Sequence, residues 1–128
     1  MSHPLIDRLT TELGWPRLAS DAALAAHLAL PGVHCLFIPG DPARNLESAD
    51  VAVILPELAL SFQRAFDCAL VDDAIEEALR KETGVWKTPS LLFFRDGEAI
   101  GAIPKVRDWE DYMARIAQIL ATPVSVSA

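Results

Sequence analysis

Two cysteines are all the thiol chemistry this 128-residue chain holds, and they stand far apart at Cys35 and Cys68. Each sits inside an apolar run, and the chain has no Cys-x-x-Cys pair. Disulfide exchange draws on a thiolate activated at a helix N-terminus or beside a positive charge, and neither position suits it. Both read as small core residues in a chain kept in a reducing compartment. Positive charge is also scarce: eleven Lys and Arg stand against eighteen Asp and Glu, a formal net charge of −7. Nucleic-acid binding needs clustered Lys and Arg, so that class is excluded. There is no apolar window of ~18 residues, so no membrane-spanning helix is expected. The N-terminus lacks a basic segment followed by an apolar stretch. No secretory signal is therefore expected, and the expected location is the cytoplasm. No Gly-rich phosphate loop follows a strand, and no Ser-His-Asp set can be assembled. His3, His27 and His34 show no metal-ligand spacing, and His34 and Cys35, as strand neighbours, point to opposite faces. No catalytic residue, metal or cofactor is expected.

Apolar residues make up 52% of the chain, enough for one core without disulfides or metals. At ~100–200 residues per domain, a single domain is expected over residues 1–121, with a loose tail over 122–128. The acids are unevenly placed. Residues 41–82 hold ten Asp and Glu against four Lys and Arg, so this stretch carries −6 of the −7. A basic partner would be drawn there.

Leu5, Ile6, Leu9 and Leu13 share one face of a helix over 4–13, stopped by Gly14. Residues 15–19 suit an edge strand, where Pro16 is tolerated. Ser20 or Asp21 caps a helix that ends at Pro31-Gly32. VHCLFI, residues 33–38, reads as a buried strand. A polar, turn-rich segment over 39–50 follows. Val51, Ile54, Leu55, Leu58, Phe62 and Phe66 then keep helical spacing, with Pro56 as a kink or break. DCALV, residues 67–71, is a second buried strand. Asp72 or Asp73 caps the next helix, which Gly84 ends. SLLFF and AIGAI flank Asp96-Gly97, a hairpin signal. A last helix starts near Asp108, with Trp109, Tyr112, Met113, Ile116 and Leu120 facing inward. Trp15 and Trp109 read as packing residues.

The order is α, then β-α-β-α-β-α-β-β-α. Helix-linked strands pair in parallel and the hairpin adds antiparallel pairs. The expected fold class is therefore α/β: a three-layer sandwich with a mixed central sheet, helices on both faces and an extra N-terminal helix. This layout resembles thioredoxin. In that fold a helix leads to a loop ending in a cis-proline, then a strand, a tight turn and an edge strand. Pro89, after Thr88, matches that proline, and the resemblance implies an exposed backbone there, where extended peptides dock. The place of the thioredoxin cysteine pair is taken by GDPARNLESADVAV, which has no cysteine.

Four segments carry a closer resemblance: LGWPRLAS, GDPARNLESADVAVILPEL, GVWKTPSLLFFRDG and the Trp-containing start of the last helix. Together they make the chain similar to the HupG/HyaE/HoxO family of accessory proteins in NiFe-hydrogenase maturation. The resemblance implies a non-catalytic chaperone for the hydrogenase small subunit, binding its twin-arginine leader before export. A second accessory protein is a possible further partner. A twin-arginine leader is basic near its start and apolar in its middle. The acidic stretch suits the first part, and the edge at residues 86–89 suits the second.

The residues expected at the partner site are Trp86, Lys87, Thr88, Pro89, Asp41, Glu47 and Asp50. Each has a plainer reading. Trp86 also reads as a lid on the core, Lys87 as a solvated charge, and Thr88-Pro89 as a shaping turn. Asp41 before Pro42 initiates turns, and Glu47 and Asp50 suit a helix N-terminus. Arg44 can pair with one of these acids. Asp72, Asp73, Glu76 and Glu77 read as a cap and a solvated helix face. Two other functions remain open: a divergent thiol-disulfide oxidoreductase using Cys35 or Cys68, and a structural subunit of a maturation complex.

Overall fold

The computed structural model describes residues 3–122. Its elements in chain order are α1 (Pro4–Thr11), β1 (Arg17–Leu18), α2 (Asp21–Leu28), β2 (Val33–Ile38), α3 (Glu47–Ser61), β3 (Phe66–Val71), α4 (Asp73–Thr83), β4 (Ser90–Arg95), β5 (Glu98–Pro104) and α5 (Trp109–Ala121). The strands form one sheet in the order β1-β3-β2-β4-β5. β3 runs parallel to β1 and β2, while β4 runs antiparallel to β2 and β5. The expected mixed sheet with helices on both faces is what forms. The tail read from residue 122 lies, beyond Thr122, outside the described residues.

Alternation along β2 divides the core. Val33, Cys35 and Phe37 face a cluster completed by Ile6 and Leu9 of α1, Val51, Leu55 and Leu58 of α3, and Tyr112 and Ile116 of α5. Leu36 and Ile38 face the other way, onto Ile75 and Leu79 of α4 and the half-buried Leu24 and Leu28 of α2. β2 is buried along its whole length. A strand covered on both faces reads as a continuous apolar run, and this one was legible for that reason.

Several boundaries differ from the sequence reading. Phe66 opens β3; it does not continue the helix, which ends at Ser61. Gln63 and Arg64, both with positive φ, turn the chain between the two. Helical spacing ran on into Phe66 because a strand residue facing the same core looks alike in a short window. α3 begins at Glu47, within the segment read as turn-rich, so that Glu47 and Asp50 stand in its first turn as their plainer reading held, and it runs through Pro56 without ending. Proline there removes the N–H that would bond the Ala52 carbonyl. α1 ends at Thr11, short of the expected residue 13; on it only Ile6 and Leu9 are buried, whereas Leu5, and Leu13 beyond the helix, are exposed. Trp109 is 43% exposed and does not face inward. Ile119 is buried in its stead, pressed against Gly101, where a Cβ would lie 2.5 Å from Ile119 Cγ1.

Candidate functional site

Registers place the site. Ile38 of β2 pairs with Ser90 of β4, which pairs with Pro104 of β5. At this end of the sheet the chain leaves β2 into the loop over residues 39–46 and enters β4 from residues 84–89. The Thr88–Pro89 peptide bond is cis. The expected exposure is only half present. Trp86 is 51% exposed and Lys87 is exposed. Thr88, Pro89 and Ser90 are buried, so the backbone at the proline is covered. The cover is the β2 loop. Gly40 has φ +73, and a Cβ on it would lie 2.5 Å from Thr88 Oγ1 and 2.8 Å from Asn45 Nδ2. Only a glycine lets the loop close this tightly.

The loop is held from within. Asp41 Oδ1 accepts the Ala43 N–H at 3.0 Å, and the Asp41 carbonyl accepts the N–H groups of Arg44 and Asn45. Arg44 reaches Asp41 Oδ2 at 3.8 Å with its side chain well exposed. Asp41 thus initiates the turn, as its plainer reading held. Ser48 Oγ donates to the Pro39 carbonyl at 2.5 Å. Glu76 of α4 closes the other side, accepting the Gly40 N–H at 3.2 Å.

These contacts leave a cleft of about 440 Å³ lined by Asp41, Asp73, Glu76, Glu77, Arg80 and Trp86, with Gly40 at its base. Four acids face one arginine, a local balance of −3. Arg80 is itself engaged. It donates to the Trp86 carbonyl, lies 3.4 Å from Glu76 Oε2, and holds its guanidinium carbon 5.3 Å from the Trp86 ring centroid. Burial pushes the Glu76 carboxyl up; Arg80 and the Gly40 N–H oppose that rise.

Of the seven expected residues, the cleft brings together Asp41 and Trp86. Glu47 and Asp50 stand apart from it, in the first turn of α3. Burial pushes the Tyr112 hydroxyl up, Arg107 opposes, and the Glu47 carboxylate adds to the rise. Sequence reasoning missed Asp73, Glu76, Glu77, Arg80 and Gly40. Asp72 is the cap, accepting the Ala74 N–H at 2.9 Å and the Arg17 Nε–H at 2.6 Å. Of the acids that follow it, Asp73 and Glu77 are exposed, as a solvated face requires, while the half-buried Glu76 meets the Gly40 N–H and Arg80. Four-residue spacing could have shown that Asp73, Glu77 and Glu76, Arg80 lie side by side.

Cys35 and Cys68 pair in register on β2 and β3, and are 0% and 5% exposed. Burial pushes the Cys35 thiol well above its usual range, and the neighbouring Cys68 and the Asp67 carboxylate add to the rise. A larger groove of about 650 Å³ lies elsewhere, at the opposite end of β3. It is mainly apolar, lined by Leu13, Trp15, Pro56, Leu60 and Phe66, with Arg64 also in its wall. Among the described residues no helix is long and apolar enough to cross a membrane.

The fold is that of thioredoxin: Plasmodium falciparum thioredoxin superposes with a TM-score of 0.65 at 9% identity, over 80% of this chain and 97% of that one. A crystal structure of the hydrogenase expression/formation protein hupG from Rhodopseudomonas palustris is 36% identical, with a TM-score of 0.58 over 83% of this chain and 96% of that one. The hydrogenase expression/formation protein HupG of Rhodobacter capsulatus is 61% identical over 120 residues, 94% of this chain and 87% of its own. HoxO of Azotobacter vinelandii, of the same description, is 43% identical over 121 residues, 94% of this chain and 80% of its own. Residues 5–112 match the family described as Hydrogenase-1 expression protein HyaE, and the chain belongs to that family of hydrogenase expression/formation proteins.

Proposed function

We propose that this protein is a non-catalytic maturation chaperone for the small subunit of a NiFe hydrogenase, and that it binds the subunit's twin-arginine leader in the cytoplasm before export. One observation carries the reading: an acidic cleft, edged by an exposed tryptophan, lies at the end of the sheet where a thioredoxin carries its reactive cysteines. Two arginines of a leader can meet Asp41, Asp73 and Glu77, and an apolar residue beyond them can lie against Trp86. The buried thiols and the raised Cys35 weigh against a thiol oxidoreductase.

Charge alone is too weak for the task. An exposed ion pair contributes ~0–1 kcal/mol, so two supply at most ~2 kcal/mol. Micromolar binding needs about 8 kcal/mol. The apolar middle of the leader therefore has to bury surface, at roughly 25 cal/mol per Å² before association costs. Titration of a synthetic leader peptide tests this. Binding is expected to weaken with salt without vanishing, because screening acts on the charged share alone. Reversing Asp73 and Glu77 to Lys is expected to weaken it by about 5–30-fold at low salt. Reversing Glu82 and Glu98, near the opposite end of the sheet, is expected to do little. Equal affinity of the two double variants would sink the proposed contact.

A further inference from the structure

A second polar cluster lies at the other end of the sheet. It draws on three elements: His27 from the last turn of α2, His34 from β2 and Asp67 from β3. His34 and Asp67 are register partners on neighbouring strands. His34 Nδ1 lies 2.9 and 2.8 Å from the two Asp67 oxygens, and His27 Nε2 lies 3.1 Å from Asp67 Oδ1. The two rings stand 4.8 Å apart between centroids. One donor atom from each of the three residues lies within 4.8 Å of the others.

The hydrogen bonds of His34 set the chemistry. Its Nε2 lies 2.8 Å from the Leu30 carbonyl. A carbonyl only accepts, so Nε2 carries the proton. His34 thus presents Nδ1, and His27 presents Nε2, to the same carboxylate. One divalent cation can take one ligand atom from each of the three residues. A ligating histidine that donates its other N–H to a backbone carbonyl is the usual arrangement at metal sites. Bonds of 2.0–2.2 Å at tetrahedral angles put neighbouring ligand atoms about 3.3–3.5 Å apart. The His–Asp contacts of 2.8–3.1 Å would open toward that spacing, and the ring nitrogens, within 4.8 Å of each other, would close on it.

We propose that His27, His34 and Asp67 bind one divalent first-row transition-metal ion of the zinc type, through two imidazole nitrogens and a carboxylate. Nitrogen and oxygen ligands without thiolate suit such an ion. Cys35 and Cys68 project to the opposite face of the sheet and take no part. The Asp67 side chain is 49% exposed, so the remaining coordination position opens to solvent. The ion fastens α2, which has no buried residue of its own, to β2 and β3. The sequence showed no such site because its ligands come from separate elements, with Asp67 distant from both histidines in the chain. The proposal stands independently of leader binding.

Zinc titration of the metal-free 128-residue chain by calorimetry, with cobalt absorption as the spectroscopic probe, tests it. One ion per chain is expected, with a thermal midpoint raised by zinc. His27→Gln and Asp67→Asn, both at positions that are not fully buried, are each expected to weaken binding by at least ~10-fold. They are also expected to lose the zinc-dependent rise, with unchanged circular dichroism. His3→Gln is expected to bind as wild type. No zinc binding up to about 1 mM overturns the site. So does binding that His27→Gln leaves intact, or a cobalt–thiolate band that disappears in Cys68→Ser.

Discussion

Replacing Gly40 with alanine isolates the contact that closes the β2 loop over the buried Thr88. Gly40 and Gly84 share nearly the same backbone conformation, φ +73 and +74. Alanine in that left-handed region costs ~1–2 kcal/mol at either position. Their surroundings differ. A Cβ at Gly84 meets nothing within 4 Å, whereas one at Gly40 meets Thr88 Oγ1 at 2.5 Å, Thr88 Cβ at 2.7 Å and Asn45 Nδ2 at 2.8 Å. The Asn45 amide is the end of a flexible side chain and can move. Thr88 is β-branched and buried beside Pro89, so it cannot. Overpacking of this kind costs ~1–3 kcal/mol. Gly40→Ala should therefore destabilise the fold by about 2–5 kcal/mol, and Gly84→Ala by about 1–2 kcal/mol. Urea denaturation with an unchanged m-value measures both. Thr88→Gly in the Gly40→Ala background removes the two Thr88 atoms and should return part of the loss in a double-mutant cycle. If Gly40→Ala costs no more than Gly84→Ala, the loop does not close on Thr88 as described.

Asp72→Ala should cost about 1–2 kcal/mol at neutral pH through loss of the α4 cap. The Ala74 N–H bond and then Arg17 hold the Asp72 carboxyl below its ordinary range. Its contribution is therefore present above the unfolded pKa and lost as pH falls through the lower folded one, so variant and wild type should converge in acid urea melts. Leader affinity should fall as pH is lowered from neutral toward the carboxylate range, because burial makes Glu76 take up its proton ahead of an ordinary carboxylate; calorimetry along that descent checks this, and a rise would contradict it. Neither Cys35 nor Cys68 should react with a thiol reagent until the chain is denatured, and rapid labelling at neutral pH would revive the oxidoreductase reading.

The sheet was legible because its inner strands are short apolar runs bounded by turn formers, and because Asp96-Gly97 sits between two of them. The caps at Ser20 and Asp72 and the stop at Gly84 were legible for the same local reason: capping chemistry lies within a few residues in sequence. What failed was non-local. Phe66 kept helical spacing yet belongs to β3, since its burial comes from Phe93 across the sheet, in an edge contact at 5.4 Å. Trp109 lies on the periodic face of α5 but beyond the sheet's cover. Asp73 and Glu77 of α4 read as solvated and are exposed, but the contact of Glu76 with the Gly40 N–H comes from non-local packing of the β2 loop. Glu47 and Asp50 attracted notice as acids near the loop, but neither lines the cleft. The His27, His34 and Asp67 cluster depends on β2–β3 register, which no local spacing reveals.

The central claim is that the leader occupies the cleft between Asp41, α4 and Trp86. The most direct test is a nuclear magnetic resonance titration of the isotope-labelled chain with the twin-arginine leader peptide of a hydrogenase small subunit. The account predicts that shifted backbone amides cluster at Gly40, Asp41, Asp73, Glu77 and Arg80, together with the Trp86 indole N–H. Shifts gathered at Leu13, Leu60 and Phe66 would place the peptide in the larger apolar groove and contradict the account, as would no shift at all.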